Sequence, residues 1–284
     1  MSESENSSFQ IGLYTFGELI ADPTTGQRIS PQQRLSEVLA MAKLADEAGL
    51  AVFGVGEHHR LDFTIATPPV VLAAIAQVTK RIRLTSAVTI LSTLDPVHVF
   101  EDFATVDLLS AGRAELIVGR GAFIESFPLF GYNVADYDQL FPEKLNLLLK
   151  LNASERITWQ GKFRTPLEDA EIAPRPVQPQ LPIWVGVGGT PESAVRAGKL
   201  GLPMALAIIG GTAAQFVPLV DLYRRAGKQA GHDASKLKVG VTSHFHVSKT
   251  SQQAMSEFYP YYTHYFGQIA KGRGWTINPP MYQQ

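Results

Sequence analysis

The segment Ser110–Phe123, with the sequence SAGRAELIVGRGAF, decides the fold predicted for the whole chain. Ser110 and Gly112 end an apolar helix, and Ala114–Val118 is too short and too apolar for anything but an internal strand. Gly119-Arg120-Gly121 follows at the carboxyl end of that strand, where α/β sheets and barrels keep their ligands. The two glycines let backbone approach a ligand, and the Arg120 guanidinium is a planar fork that suits a phosphate. A solvated arginine in a surface turn is the alternative interpretation.

Strands and helices alternate on both sides of this segment. Seven apolar runs predict strands: Phe9–Phe16, Leu50–Gly56, Ile82–Ile90, Ala114–Val118, Ile183–Val187, Met204–Ile209 and Val239–Val247. Helix start signals stand between them, such as Ser30 with Pro31 and Gln33. This alternation predicts right-handed βαβ units and a parallel sheet. A doubly wound sheet would also fit, but the even spacing favours an α/β (β/α)8 TIM-type barrel.

Two regions depart from this alternation. Residues of about 122–181 hold a helical pattern at Asp136–Leu151, then a turn at Trp159–Phe163 and four prolines. Because this region is too short to bury a core of its own, it is interpreted as an excursion within a single domain of residues 1–284. No eighth strand is visible, because Lys271–Gln284 follows neither the helical nor the strand period. A truncated chain and a strand supplied by a partner are both consistent with that absence.

Composition narrows the classes of function. The 284 residues are 45% hydrophobic and 18% charged, with a formal net charge of -1 and no basic run. This balance gives no electrostatic reason to expect nucleic acid or a membrane surface as a partner, so a small-molecule ligand is favoured. The absence of cysteine excludes disulfides, thiolate metal sites and cysteine nucleophiles. The polar start MSESENSS is unlike a signal peptide, and no apolar run has the length of a membrane span, which predicts a cytoplasmic protein.

The loops that follow the strands would share one face of a barrel. Gly188–Ser193 is a glycine turn that leads into a helix start, where backbone N–H groups and hydroxyls suit a phosphate. Gly210–Thr212 repeats this arrangement one strand later. Either turn alone could be a simple helix cap. Together with Arg120, they make a phosphate-bearing ligand as plausible as simple capping.

His58 and His59 are adjacent, so at a strand end their side chains point to opposite sides, and joint binding of one metal is not expected. Gly54 and Gly56 share the side of His58, which predicts an empty space in the barrel interior that could hold a flat ring. The alternative is that both histidines only bond loop backbone. Glu57 or a Glu101-Asp102 pair could suggest a hydrolase, but carboxylates within a helix are ordinary solvated groups. The patterns GxSxG, GxGxxG and Walker A do not occur.

Four ordered segments carry a family resemblance that spans roughly Phe9–Tyr265. They are AVFGVGEHHRLDF at Ala51–Phe63, SAVTILSTLDPVHVFEDFATVDLLSAGRAELIVGRG at Ser86–Gly121, PIWVGVGGTPES at Pro182–Ser193 and GLPMALAIIGG at Gly201–Gly211. Each is unspecific alone, but their order and spacing together are specific. The chain resembles the bacterial luciferase-like flavin-dependent monooxygenase family.

The resemblance implies a fold, a cofactor and a set of roles. The family fold is a (β/α)8 barrel whose members use reduced flavin mononucleotide (FMN) or, in another branch, a deazaflavin coenzyme. His58 corresponds to the active-site histidine near the reactive edge of the flavin. Ala87 and Val88 match a step on which the flavin ring packs, often a non-prolyl cis peptide in the family. The phosphate-binding residues so implied are Arg120, Ala122, Gly189, Thr190 and Ser193, and the second glycine turn adds Gly210.

The predicted function is therefore oxidation of a small organic substrate with reduced FMN and molecular oxygen. Deazaflavin-dependent hydride transfer and a non-catalytic flavin-binding protein remain alternatives, although His58 argues against the last. The sequence shows no nicotinamide site, so the resemblance implies a separate flavin reductase. It also implies a homodimer formed through helices near Val70–Val78 and Val99–Val106, where apolar positions exceed one buried stripe.

Overall fold

Residues 9–209 and 212–273 are described by a computed structural model, with side chains described through residue 268. The strands are β1 (Gly12–Thr15), β2 (Val52–Val55), β3 (Arg83–Ile90), β4 (Leu116–Gly119), β5 (Arg156–Trp159), β6 (Leu167–Glu171), β7 (Ile183–Val187), β8 (Met204–Ala207) and β9 (Val239–Thr242). The helices are α1 (Pro31–Glu47), α2 (Pro68–Val78), α3 (Pro96–Ser110), α4 (Ser126–Leu129), α5 (Tyr137–Ala153), α6 (Pro191–Leu200), α7 (Ala213–Gln229) and α8 (Ser251–Arg273).

The main sheet has seven strands in the order β1-β2-β3-β4-β7-β8-β9, and every neighbouring pair is parallel. It curves into a nearly closed barrel with helices outside, which confirms the predicted α/β barrel. Each strand overlaps its predicted run, and strands β1 and β9 end the sheet order. Most of Lys271–Gln284, in which no eighth strand was visible, lies outside the described residues.

The helix signals in the sequence act as expected. The Ser30 hydroxyl accepts a hydrogen bond from the Gln33 N–H at 3.1 Å and caps α1. The Asp95 carboxylate caps α3 in the same way, accepting from the Val97 N–H at 2.8 Å. Helix α3 ends at Ser110 because the next two residues, Ala111 and Gly112, have φ of 56° and 85°, and the chain then enters β4. All four residues of β4 are buried, so the helix stop delivers an internal strand, as predicted.

The region of residues 122–181 contains the helix predicted at Asp136–Leu151 and also a hairpin that the sequence pattern did not indicate. Helix α5 buries its Leu140, Leu145 and Leu148 in the same core as the barrel. Strands β5 and β6 then form an antiparallel hairpin where only a turn was predicted. The hairpin is mostly exposed and is cross-linked by Arg156, which pairs with Asp169 at 2.8 Å.

Lys144 ties α5 to the loop that follows β3. Its side chain is 2% exposed, and its Nζ donates hydrogen bonds to the Ser92 and Leu94 carbonyls at 2.8 and 2.9 Å. The ammonium also lies 3.8 Å from the centre of the Tyr132 ring. Burial lowers the pKa of Lys144 to about 8. The loop at the carboxyl end of β3 is therefore held by a buried cation.

Within the ranges described, no helix combines the length and the apolar character that crossing a membrane requires.

Candidate active site

His58 lies in the loop after β2, at the carboxyl-terminal mouth of the barrel. Its ring stacks on Phe63 with centroids 4.0 Å apart and an interplanar angle of 13°. Phe16 and Phe123 approach the same imidazole at 5.1 and 5.6 Å. The backbone N–H of His58 donates a hydrogen bond to the Ile65 carbonyl at 2.9 Å. These three phenylalanine rings, the aromatic frame, fix the plane of a half-buried imidazole beside the mouth.

His59 contacts different groups, as strand alternation predicts. Its Nε2 lies 2.8 Å from Glu57 Oε1, and its ring meets Phe130 edge-on at 4.9 Å. The second Glu57 oxygen accepts a hydrogen bond from the Ile90 N–H at 2.8 Å. Glu57 is 3% exposed and therefore joins the ends of β2 and β3. Sequence reasoning considered Glu57 as an acid or base and did not anticipate this connection.

The space beside Gly54 and Gly56 is not empty, which corrects the expectation drawn from strand alternation. A Cβ atom at Gly54 would lie 2.5 Å from the Tyr14 ring. A Cβ at Gly56 would lie 2.9 Å from the Ala87 carbonyl oxygen and would also meet the Phe16 ring. The aromatic side chains of the β1 segment fill the layer that the glycines vacate. The two glycines are needed for this close packing of β1 on β2.

The Ala87–Val88 peptide bond is cis, as the resemblance implied. The register of β3 against β4 shifts at this point, between Ala87 and Thr89. Ala87 and Val88 are partly exposed although Ser86 and Thr89 beside them are buried. The Val88 side chain covers two glycines, because Cβ atoms at Gly119 and Gly186 would lie 2.8 and 2.9 Å from it. Ala87 and Val88, the cis step, thus form an accessible ledge on three packed strands.

Arg120 and Thr190 lie 70 positions apart in the sequence and meet in the structure. Arg120 Nη2 donates to the Thr190 hydroxyl at 2.9 Å, and Nη1 donates to Asp138 at 3.0 Å. The guanidinium lies 4.9 Å above the Tyr137 ring, whose hydroxyl donates to the Gly121 carbonyl at 2.9 Å. The Arg120 side chain is 17% exposed, whereas that of Asp138 is 86% exposed. Arg120 is therefore held in place without a buried carboxylate partner.

Thr190 is also the residue that precedes α6, but its hydroxyl does not cap the helix. Pro191, the first residue of α6, has no N–H, so the donors at this helix start come from the residues that follow it in the first turn. Gly189 has a φ of 122°, and a Cβ there would meet nothing within 4 Å. Ser193 is buried and donates its N–H to the Thr190 carbonyl at 3.1 Å. We call Arg120, Thr190 and the first turn of α6 the arginine corner.

Two other predicted phosphate contacts are less defined. Ala122 is exposed just after Gly121, on the rim of the arginine corner. Gly210 lies outside the described residues.

Arg196 belongs to this group although the sequence analysis did not single it out. Its Nη1 is buried and makes no hydrogen bond to the described part of the chain. Burial lowers the pKa of Arg196, and the nearby charge of Arg120 lowers it further. The charges of Asp138 and Glu192 raise the pKa in opposition, and an anion bound at the arginine corner would further stabilise the charged form of Arg196. Its position three residues after Ser193, on the same side of a helix, is the sequence signal that could have identified it.

The described residues contain no group of three or more potential metal ligands. The functional groups that the site presents are the His58 imidazole, the cis step and the arginine corner. An anion fits the arginine corner, and a planar group fits the accessible ledge of the cis step. The His58 imidazole lies among the rings of the aromatic frame, at the same mouth of the barrel.

Comparison with known proteins identifies one family model that matches most of the chain and several similar proteins. The family model for luciferase-like monooxygenases matches residues 9–281. The oxygenase component of the flavin-dependent trigonelline monooxygenase of Acinetobacter baylyi is 25% identical over 281 residues, covering 90% of this chain and 72% of that protein. The F420-dependent glucose-6-phosphate dehydrogenase of Amycolatopsis mediterranei is 30% identical over 177 residues, covering 58% of this chain and 51% of that protein.

Solved structures agree on the fold. The oxygenating constituent of 3,6-diketocamphane monooxygenase from Pseudomonas putida, solved with FMN, superposes with a TM-score of 0.77 at 20% identity. That match covers 95% of this chain and 80% of the other. Several curated relatives are matched over only about half of their length, 51% in each of two from Sinorhizobium fredii.

Proposed function

The chain belongs to the luciferase-like monooxygenase family, and from that premise we propose that it is an FMN-dependent monooxygenase. It takes reduced FMN from a separate reductase and uses molecular oxygen to oxidise a small organic substrate. The observation that carries the proposal is the contact between Arg120 and Thr190 at the start of α6. It builds a phosphate site on the same face of the barrel as His58 and the cis step.

The arginine corner would hold the FMN phosphate. Arg120 offers a charge-assisted hydrogen bond, and the Thr190 hydroxyl and the start of α6 offer further donors. Gly189 leaves room for a close approach, because no atom lies within 4 Å of the position of its missing Cβ. Asp138 already pairs with Arg120, but because the Asp138 side chain is exposed, this ion pair is weak and the dianionic phosphate of FMN can replace it. Ala122, Ser193 and Gly210 complete the proposed walls of this site.

The cis step would carry the flavin ring. Ala87 and Val88 are apolar and accessible. Because Gly119 and Gly186 have no side chains, Val88 packs directly on their backbone and does not project further into the barrel mouth. A planar ring gains from burying its face against such a ledge. The proposed FMN therefore spans from the cis step to the arginine corner.

When bound, reduced FMN would supply two of the four electrons that reduce molecular oxygen, and the substrate would supply the other two as one oxygen atom enters it and the other leaves as water. His58 is proposed as the catalytic residue that donates or accepts a proton at the reacting centre through its imidazole. The aromatic frame orients that imidazole and keeps bulk water away from one of its faces. Such positioned proton transfer contributes about two to four decades in rate.

Two assembly partners belong to the proposal. The Acinetobacter relative is an oxygenase component, and a separate flavin reductase is proposed here by analogy. A homodimer is proposed through α2 and α3, which expose Val70, Val78, Leu108 and Leu109. Val99 and Val106, within the range first expected to supply this surface, are buried, so the α3 contribution lies at its end. The surface shifts because Val99 and Val106 face the barrel.

A deazaflavin-dependent hydride-transfer enzyme is the second candidate function. The observation in its favour is the 30% identity to an F420-dependent dehydrogenase over 177 residues. Both coenzymes contain a flavin-like ring and a phosphate, so the same corner and ledge would serve either.

Anaerobic titration with reduced FMN and, separately, with reduced F420 distinguishes the two functions. The proposal predicts saturable binding of reduced FMN at micromolar concentrations and oxygen consumption when air is admitted. Tight binding of F420 with no measurable binding of reduced FMN would support hydride transfer instead. Failure to bind either coenzyme would exclude both functions.

A further inference from the structure

A second cavity opens on the side of the barrel where β1 and β9 end the sheet order. Its volume is about 360 Å³, and its walls come from the β1–α1 loop, the segment after β9 and helix α8. Its lining includes three tyrosines of α8, Tyr261, Tyr262 and Tyr265, together with Glu18. We call this cavity the tyrosine pocket. It borders the His58 site, because Glu18 pairs with Phe63 in an isolated bridge and Phe63 stacks on His58.

The aromatic wall is fixed by its own contacts. Tyr262 meets Phe266 at 4.5 Å and Phe258 at 5.7 Å between ring centroids. The His244 ring meets Tyr262 and Tyr265 edge-on at 5.7 and 5.4 Å. Burial lowers the pKa of His244, which keeps that ring neutral near pH 7. The pocket thus presents electron-rich ring surfaces without adding a positive charge of its own at His244.

The charged groups at the pocket include two carboxylates, Glu18 and Asp22, that form no ion pair with the described residues. Arg34 donates to the Glu18 backbone carbonyl and forms an ion pair with Glu37 at 2.9 Å, so its charge is already matched. Asp22 accepts hydrogen bonds from the Thr24 and Thr25 N–H groups within its own turn and from the Tyr261 hydroxyl of α8, so its carboxylate is already hydrogen-bonded. Glu18 makes no ion pair with the described residues. Its pKa is raised by burial, against which its own backbone N–H and the charge of Arg34 act.

A cavity lined by both a carboxylate and several tyrosine rings is suited to a cation, because ring faces and a carboxylate both attract positive charge. An anion would meet Glu18 and Asp22, and a neutral ligand would leave Glu18 uncompensated. We propose that the tyrosine pocket binds an organic cation, a protonated amine or an N-alkylated nitrogen heterocycle, as the substrate of the monooxygenase. The assignment rests on the proposed function, since the pocket borders the His58 site.

Binding of N-methylpyridinium and of toluene tests this inference, because the two molecules share a shape and differ in charge. Isothermal titration calorimetry with flavin-free protein should show N-methylpyridinium binding about 10-fold or more tightly than toluene. Glu18→Gln should weaken the binding of N-methylpyridinium about 10- to 150-fold and leave the affinity for toluene within about threefold of wild-type protein. Glu168→Gln removes an equal charge from the exposed hairpin and should change neither affinity.

The aromatic wall is tested separately. Tyr262→Leu should weaken the binding of N-methylpyridinium about 2- to 30-fold. Tyr259→Leu should leave that affinity unchanged, because Tyr259 lies on the same helix but outside the pocket. Equal affinities for the two ligands, or equal losses in Glu18→Gln and Glu168→Gln, would overturn the inference. The experiment uses no flavin, so protein that binds FMN but not the cation rejects only this inference. Protein that binds the cation but not FMN keeps the cation site of the tyrosine pocket and rejects the proposed function, together with the role of the cation as its substrate.

Discussion

At the scale of single residues, His58 has a ring held in a defined plane by its contact with Phe63. His58→Ala should lower kcat by about two to four decades, because a positioned proton donor or acceptor is lost. The dissociation constant for FMN should stay within about threefold, since the arginine corner is intact. Steady-state kinetics and a flavin titration on the same preparation measure both. His98→Ala, which removes an exposed histidine from α3, is the matched control. Unchanged turnover, or affinity lost in parallel with rate, would assign His58 a structural role.

Lys144 gives a prediction about pH. Its folded-state pKa is about 8 and a lysine of the unfolded chain has about 10.5, so between these values the unfolded chain binds more protons. The free energy of unfolding should therefore gain a contribution that rises with pH across this window. Lys144→Met should remove that slope, whereas Lys150→Met, an exposed position on the same helix, should keep it.

Urea unfolding at about pH 7 and about pH 9.5 measures the slope. Higher pH is avoided because burial raises the pKa of Tyr14 and Tyr223 to about 12, which lowers stability as pH rises above about 10. Identical pH dependence in wild-type protein and Lys144→Met would show that Lys144 titrates as in the unfolded chain.

Residue types predicted which residues belong to the site but not the hydrogen bonds and packing contacts between neighbouring strands. Arg120 stands between two glycines and His58 two residues after Gly56, both just past strand ends, and that local pattern is visible in the sequence. The bond from the Ile90 N–H to Glu57 depends on how β2 and β3 end side by side, which no local pattern encodes. The filling of the space beside Gly54 by Tyr14 was missed for the same reason, because it depends on the neighbouring strand.

At the scale of elements, the close packing of α6 on α7 depends on Gly198. A Cβ there would collide with the Tyr223 carbonyl and lie 3.0 Å from the Ala226 Cβ. Gly198→Ala should lower the free energy of unfolding by about 1–3 kcal/mol, because the two helices must separate. Gly267→Ala, within α8 and with nothing within 4 Å, should raise it by up to about 1 kcal/mol. Thermal or urea unfolding gives both values, and equal effects of the two substitutions would contradict this packing.

The parallel strands were predictable and the hairpin was not. Buried parallel strands are short apolar runs between helix signals, and β4 is buried at every position. Strands β5 and β6 carry charged residues at Arg156 and Asp169 and expose most positions, so they lack that signature. The walls of the tyrosine pocket were missed because α8 and the β1–α1 loop meet only in three dimensions.

At the scale of the whole molecule, the exposed apolar face of α2 and α3 predicts association. Val70 is 67% and Leu109 49% exposed. Sedimentation velocity at about micromolar concentration should show a dimer, and Leu109→Lys should shift it to monomer by burying a charge in the interface. Val217→Lys, an exposed position of α7, should leave the dimer intact. Wild-type protein that sediments as a monomer would remove the proposed interface.

The central claim is that the barrel holds FMN by its phosphate at the arginine corner. Arg120→Ala removes a charge-assisted contact of about 1.5–3 kcal/mol, so it should weaken FMN binding about 10- to 150-fold. Riboflavin, which has the ring without the phosphate, should bind the variant within about threefold of wild-type protein. Arg156→Ala, in the exposed hairpin, should change neither affinity. Equal losses for both ligands would mean that the loop had collapsed, and no loss for either would contradict the claim.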